Sequence, residues 1–408
     1  MKKARMSART ALTGQQTALL GLRVRDLVVV VLILPLSLLV SQGCQTDSAL
    51  PLDELDMQVD HSDFGDIASW GGDVDVEDQR SSDSELSTGD DVASDIIPYE
   101  PWTLVVLPDT QDYSSRFPYV FMEQTEWIVR NADALNIRFV AHVGDLTDNN
   151  TSDEYKVAAA AFQTLEDSGI PFAFVPGNHD YEGIADTRKT LVNAFFSPGV
   201  YASSERMGFF QLDSVENSWH VFTVDRKEYL VLALEFGPRE DVVAWAKNVV
   251  AQNPNAAFIL LTHAFLYSDD SRYDWWSKGD QQDWNPHSYG IAAEPGGVSD
   301  GEELWQALVR DAPSAMLVLC GHTLNDGIGH AISLGTDGNV VHQLLANFQE
   351  GTDSAIPEGG GGYMRLLRFE GEKRVAVKTY SPYLDSSLGP PDNEFVMTFD
   401  PADYSLEF

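Results

Sequence analysis

Residues 137–149 read IRFVAHVGDLTDN, an apolar run that halts at Gly144 and delivers Asp145. The same pattern recurs in four other stretches. Leu104 to Pro108 leads into Asp109 and Gln111, and Phe172 to Gly177 into Asn178 and His179. Phe258 to Thr262 leads into His263, and Met316 to Gly321 into His322. Short apolar runs of this kind suit strands of a sheet covered on both faces, and ligands of such sheets gather beyond the carboxyl ends of the strands. A lone histidine after a strand, such as His263, is more often a satisfied core residue. Repetition of the placement is what points to a shared metal site.

Between these runs the pattern alternates. Apolar residues recur at helical spacing over Phe117 to Leu135, Ser152 to Leu165 and Asp241 to Val250, and strand, helix, strand predicts parallel neighbours. After His322 only strand signals remain, over Val340 to Phe348, Gly362 to Phe369, Val375 to Tyr380 and Glu394 to Phe399. They predict a second, more antiparallel sheet. The expected fold class is α/β: two packed mixed β-sheets flanked by helices, in one domain over residues 101–408 with an aromatic insertion at 264–300.

The amino end reads differently. Lys2, Lys3, Arg5, Arg9, Arg23 and Arg25 precede the apolar stretch Leu27 to Val40, the order of a secretory signal peptide over residues 1–43 and too short for a membrane span. Ser41-Gln42-Gly43-Cys44 resembles a bacterial lipobox, although Ser41 stands where Leu is usual. That resemblance implies lipidation at Cys44 and an exported protein anchored to a membrane of the bacterial cell envelope, periplasmic or at the cell surface. With Cys44 modified, Cys320 is the remaining thiol, so no disulfide is expected. Residues 44–100 are acidic, with Arg80 their lone cation, a composition that predicts a disordered tether. The formal charge of -37 repels nucleic acid, which binds through clustered Lys and Arg, so no nucleic-acid partner is expected.

Together, Asp109-Thr110-Gln111, Gly144-Asp145-Leu146-Thr147-Asp148-Asn149, Gly177-Asn178-His179-Asp180, His263 and Gly321-His322 resemble the calcineurin-like metallophosphoesterase superfamily over Thr103 to Ser381. The Asp-Thr-Gln start and the Gly-His-Thr-Leu-Asn-Asp-Gly end are similar to a bacterial exported branch. The resemblance implies a four-layer αββα sandwich and a metal-dependent phosphoesterase acting on a phosphate monoester or diester of a small molecule or cell-surface substrate. Two cations about 4 Å apart can clamp a phosphoryl group while a bridging hydroxide attacks in line, which requires a carboxylate touching both. By the resemblance that carboxylate is Asp145, Asp109 and Gln111 serve the first metal, and Asn178, His263 and His322 complete the second. His179 would act as general acid, oriented by Asp148. Glycines 144, 177 and 321 would let the backbone turn and leave room for the ions.

Two departures bear on the cofactors. Gln111 and Leu324 stand where many relatives have histidine, leaving a first site rich in oxygen that favours Mn, Mg or Fe over Zn. Asn325 or Asp326 could fill the gap if the loop doubles back. His287, Arg272 and Lys278 of the insertion, with Arg116 nearer the first motif, are candidates to grip the substrate; a Trp-rich subdomain that only packs is the other reading of that segment. Rival functions are a single-metal cell-surface binding module and a hydrolase of pyrophosphate or cyclic phosphodiester bonds.

Overall fold

The computed structural model describes residues 99–349 and 358–402. The expected signal segment, nearly all of the acidic tether, and Cys44 lie outside the described residues. In chain order the strands are β1 (Trp102–Leu107), β2 (Ile137–His142), β3 (Phe172–Phe174), β4 (Arg206–Phe209), β5 (Ser218–Val224), β6 (Lys227–Leu234) and β7 (Ala257–Thr262). They continue as β8 (Ala315–Cys320), β9 (Ile328–Leu334), β10 (Val340–Ala346), β11 (Met364–Phe369), β12 (Arg374–Ser381), β13 (Ser386–Leu388) and β14 (Glu394–Thr398).

They form two sheets. The first runs β13-β12-β11-β1-β2-β3 with β14 also on β12, and the second runs β4-β5-β6-β7-β8-β10-β9. Neighbours are parallel along β1-β2-β3 and along β6-β7-β8-β10, as the alternation of strand and helix predicts. The expected separate carboxyl-terminal sheet does not form. Instead β10 lies parallel beside β8, and β11 returns to pair antiparallel with β1. A wholly buried β1 would otherwise present an open edge of unpaired backbone groups, which β11 closes. Strands β5, β6 and β9 form outside the segments that the sequence pattern predicts.

Leu104, Val106, Phe139 and Ala141 of the first sheet share one core with Val231, Ile259, Leu261, Leu317 and Leu319 of the second. Each sheet is covered outside by helices. Helix Pro118–Asn131 brings Phe121 against His142 and against Phe162 of helix Ser152–Asp167. Helix Glu240–Gln252 lays Val242, Val243, Ala246 and Val249 on Leu230, Leu232 and Leu260. At roughly 1.5–3 kcal/mol for each fully buried aliphatic side chain, these faces fix the layers and hence where the strand ends point. Among the described residues no helix is long and apolar enough to cross a membrane.

Candidate metal centre

Asp109, Asp145, Asn178, His263 and His322 follow the carboxyl ends of β1, β2, β3, β7 and β8, and the fold brings all five together. His263 Nε2 lies 3.3 Å from Asp145 Oδ2 and 3.1 Å from Asn178 Oδ1. His322 Nδ1 lies 2.8 Å from Asn178 Oδ1 and 3.2 Å from His263 Nε2. Ligand atoms of Asp109, Asp145 and His263 all fall within 4.8 Å of one another. Asp145 and His322 adopt left-handed backbone, with φ of 53° and 74°. Such strain costs about 1–3 kcal/mol per residue and gathers where function over-determines the geometry.

Both histidines are anchored from behind. His263 Nδ1 donates to the Val143 carbonyl at 2.8 Å, and His322 Nε2 donates to the Trp284 carbonyl at 2.8 Å. Their remaining nitrogens therefore face the Asn178 oxygen, where His322 Nδ1 offers a lone pair and His263 Nε2, beside Asp145, would exchange its proton for a cation. Three acceptors crowded beside two carboxylates ask for a cation. Burial opposes charge on His263, yet Asp145 and Asp109 override it and push its pKa up to about 9. Burial would raise Asp145, but His263 and His179 hold it below the usual carboxylate range; Asp109 is carried well upward by burial, only partly relieved by His263. His322, buried and beside His263, drops to about 3. A positive charge is thus wanted between the rings and the carboxylates.

Gln111 is buried and its Oε1 has no hydrogen-bond partner among the described residues, an orphaned acceptor that a cation beside Asp109 and Asp145 would satisfy. The donor set fits divalent metal ions: oxygen from Asp109, Gln111 and Asp145 on one side, mixed nitrogen and oxygen from Asn178, His263 and His322 on the other. Asn325 and Asp326 are exposed, and neither lines the cleft over the centre. Asn347, unassigned from sequence, does. It follows β10 and donates from Nδ2 to Asp109 Oδ2 at 2.7 Å. The signal was present, because Val340–Ala346 ends on a polar residue as the other runs do.

Asp180 is a second residue missed. Its carboxylate accepts from the backbone N–H groups of Gly177, Leu146 and Thr147 at 2.9–3.0 Å, tying the β2 and β3 loops together. Of the motif glycines, Gly144 alone has positive φ, 110°, and a Cβ there would sit 2.5 Å from His263 Nδ1. Gly177 and Gly321 are needed for close approach instead, since a Cβ would overlap the carboxylates of Asp145 and Asp109 respectively.

His179 stands at the rim. Its N–H donates to Asp145 Oδ1 at 2.9 Å, and its Nδ1 lies 2.8 Å from the Asp148 carbonyl oxygen and 3.5 Å from the Asp148 carboxylate. The loop holding Asp148 is fixed by Glu154, which completes the Thr151 capping box of helix Ser152–Asp167 and accepts from Asn149 N at 2.9 Å. A cleft of about 530 Å³ opens over the centre, lined by Gln111, Asp145, His179, Trp284, Tyr289 and Leu324 among others.

The expected substrate-gripping residues do not line it. Arg272 is drawn away by Glu302 at 2.6 Å and lies over the Trp305 ring. His287 bonds Glu303 at 2.8 Å and stacks on Trp275, within a knot capped by Asp300. Lys278 pairs with Asp269 and Arg116 with Asp112. In a chain this acidic these four each find a nearby carboxylate, and that pairing, invisible without the fold, leaves them off the cleft lining.

A sequence model described as calcineurin-like phosphoesterase matches residues 103–326. The chain is 30% identical over 295 residues to the uncharacterized protein YvnB of Bacillus subtilis (strain 168), covering 69% of this chain and 20% of YvnB, so it spans about a fifth of that relative's length. Among solved structures it is similar to purple acid phosphatase PPD1 from yellow lupin (Lupinus luteus) seeds, with a TM-score of 0.44, 13% identity, and coverage of 74% of this chain and 54% of that one. It is also similar to GAP50, the anchor in the inner membrane complex of Plasmodium, with a TM-score of 0.39, 11% identity, and coverage of 74% and 89%.

Proposed function

The chain belongs to the calcineurin-like phosphoesterase family, and from that premise we propose that it hydrolyses a phosphate ester with two divalent cations. A first ion would be held by Asp109, Gln111 and Asp145, and a second by Asp145, Asn178, His263 and His322. When bound, such ions neutralise the phosphoryl oxygens and activate a water for attack on phosphorus.

The remaining work falls to the chain. Asn347 and the His322 backbone N–H fix Asp109, 2.7 and 3.1 Å from its Oδ2. The Val143 and Trp284 carbonyls keep both histidines in the tautomer that offers a lone pair inward. His179, tied at Nδ1 to Asp148, leaves Nε2 for the substrate; in its doubly protonated form it donates that proton to the leaving oxygen. What supports this reading above all is the convergence of five strand ends on one cluster of inward lone pairs.

Metal-free protein titrated with Mn should gain activity on p-nitrophenyl phosphate or its bis ester, and Asp145→Asn should abolish the gain. Activity unchanged in Asp145→Asn would remove the mechanism. We also propose export and anchoring through Cys44, supported by the basic, apolar and lipobox-like order before it. Radiolabelled palmitate should enter the wild type and not Cys44→Ser.

A further inference from the structure

Two features of the cleft have no role in holding metal: its walls carry no Lys or Arg among the described lining residues, and its mouth exposes apolar side chains in strained backbone. Gln111, Asp145, Asn178 and His322 of the metal centre line the cleft together with the larger side chains Ile184, Trp284, Tyr289 and Leu324.

Ile184 and Trp284 are 49% and 38% exposed, and their φ values are 57° and 63°. Left-handed backbone is rare for bulky or β-branched residues. Here both large side chains exposed at the cleft adopt it. The Trp284 carbonyl is pinned by His322 Nε2, so the strain is held by the centre itself, and its indole packs on no other aromatic ring among the described residues. Tyr289 stands differently: it is packed edge-on against Phe236, with ring centroids 5.1 Å apart.

Resting on the phosphoesterase reading above, we propose that this site selects phosphate diesters bearing a planar aromatic group, which stacks on Trp284 at the apolar mouth. A diester carries one negative charge where a monoester near neutral pH carries close to two. Beyond the two ions, whose charge Asp109 and Asp145 partly offset, the described lining offers no Lys or Arg to meet a further phosphoryl charge, and Asp148 opposes one. An exposed indole offers a face to any flat ring, a nucleobase or an aryl alcohol alike.

The test compares the Mn-loaded chain on p-nitrophenyl phosphate, methyl p-nitrophenyl phosphate and bis(p-nitrophenyl) phosphate. All three share the p-nitrophenoxide leaving group; the methyl diester keeps the single charge of the bis ester and lacks its second ring. Wild-type kcat/KM should rise from the monoester to the methyl diester to the bis ester, by at least about fivefold at the second step as stacking requires. In Trp284→Ala the ratio of bis to methyl ester should fall several-fold, with Trp284→Phe restoring most of it and bound Mn equal to wild type in both. A monoester preferred over the methyl diester, or a bis-to-methyl ratio unchanged in Trp284→Ala, overturns the proposal and leaves the phosphoesterase reading standing. No hydrolysis of any of the three by protein shown to hold Mn overturns both.

Discussion

Asp180 lies beside the candidate acid His179 yet faces the other way, into three backbone N–H groups and the Thr147 hydroxyl. Removing it leaves buried donors unsatisfied at about 1–3 kcal/mol each, so Asp180→Ala should lower unfolding free energy by about 3 kcal/mol or more in urea titration. A loss within about 0.5 kcal/mol would show that those donors find water. His179→Ala differs in kind: bound Mn should stay at wild-type level while kcat falls by about a hundredfold or more. Retained rate would exclude His179 as the acid. At this scale Asp109, Asp145, Asn178, His263 and His322 were legible because each ends an apolar run. Asn347 obeys the same rule but falls inside the strand that the apolar pattern predicts to run on to Phe348. Trp284 was not legible, since its carbonyl meets His322 only through a loop conformation that tertiary packing imposes.

Among elements, the parallel strands were legible because a fully buried strand must be apolar on both faces, and β1 and β8 are buried throughout. Pairing partners were not, since nothing in the pattern of Met364–Phe369 says that it closes the edge of β1 rather than starting a new sheet. The hairpin β5-β6 turns through Asp225 and Arg226, both at positive φ, without the Asn-Gly or Asp-Gly signal that marks such turns. The strand-to-loop junction after β8 supplies the sharpest test of backbone geometry. In Gly321→Ala the new methyl competes with Asp109 Oδ1 and the Val143 side chain for one space. Because the Asp109 side chain yields more readily than a packed strand, the variant should fold and lose metal affinity by about tenfold or more. Mn affinity equal to wild type would mean the carboxylate is not a ligand where it stands.

For the whole molecule, acid should be destabilising for a reason outside the metal centre. His220, His330 and His342 are shifted down to about 3, 3 and 4 from 6.5, each chiefly by burial and His330 also by His342 beside it. Folded values below the unfolded ones mean the unfolded chain binds more protons. This stability is fully present above about pH 6.5 and is lost as pH falls toward 3–4, at up to about 1.4 kcal/mol per pH unit for each histidine. Urea midpoints of the metal-free chain should therefore drop between about pH 7 and pH 5; a flat or rising profile would contradict it.

The central claim remains that separate strand ends assemble one paired cation site, and electron paramagnetic resonance of the Mn-titrated chain addresses it without any substrate. Two Mn per chain with an exchange-coupled spectrum, collapsing to uncoupled signal in Asp145→Asn, is the predicted result. A single uncoupled Mn at saturation in the wild type would contradict it.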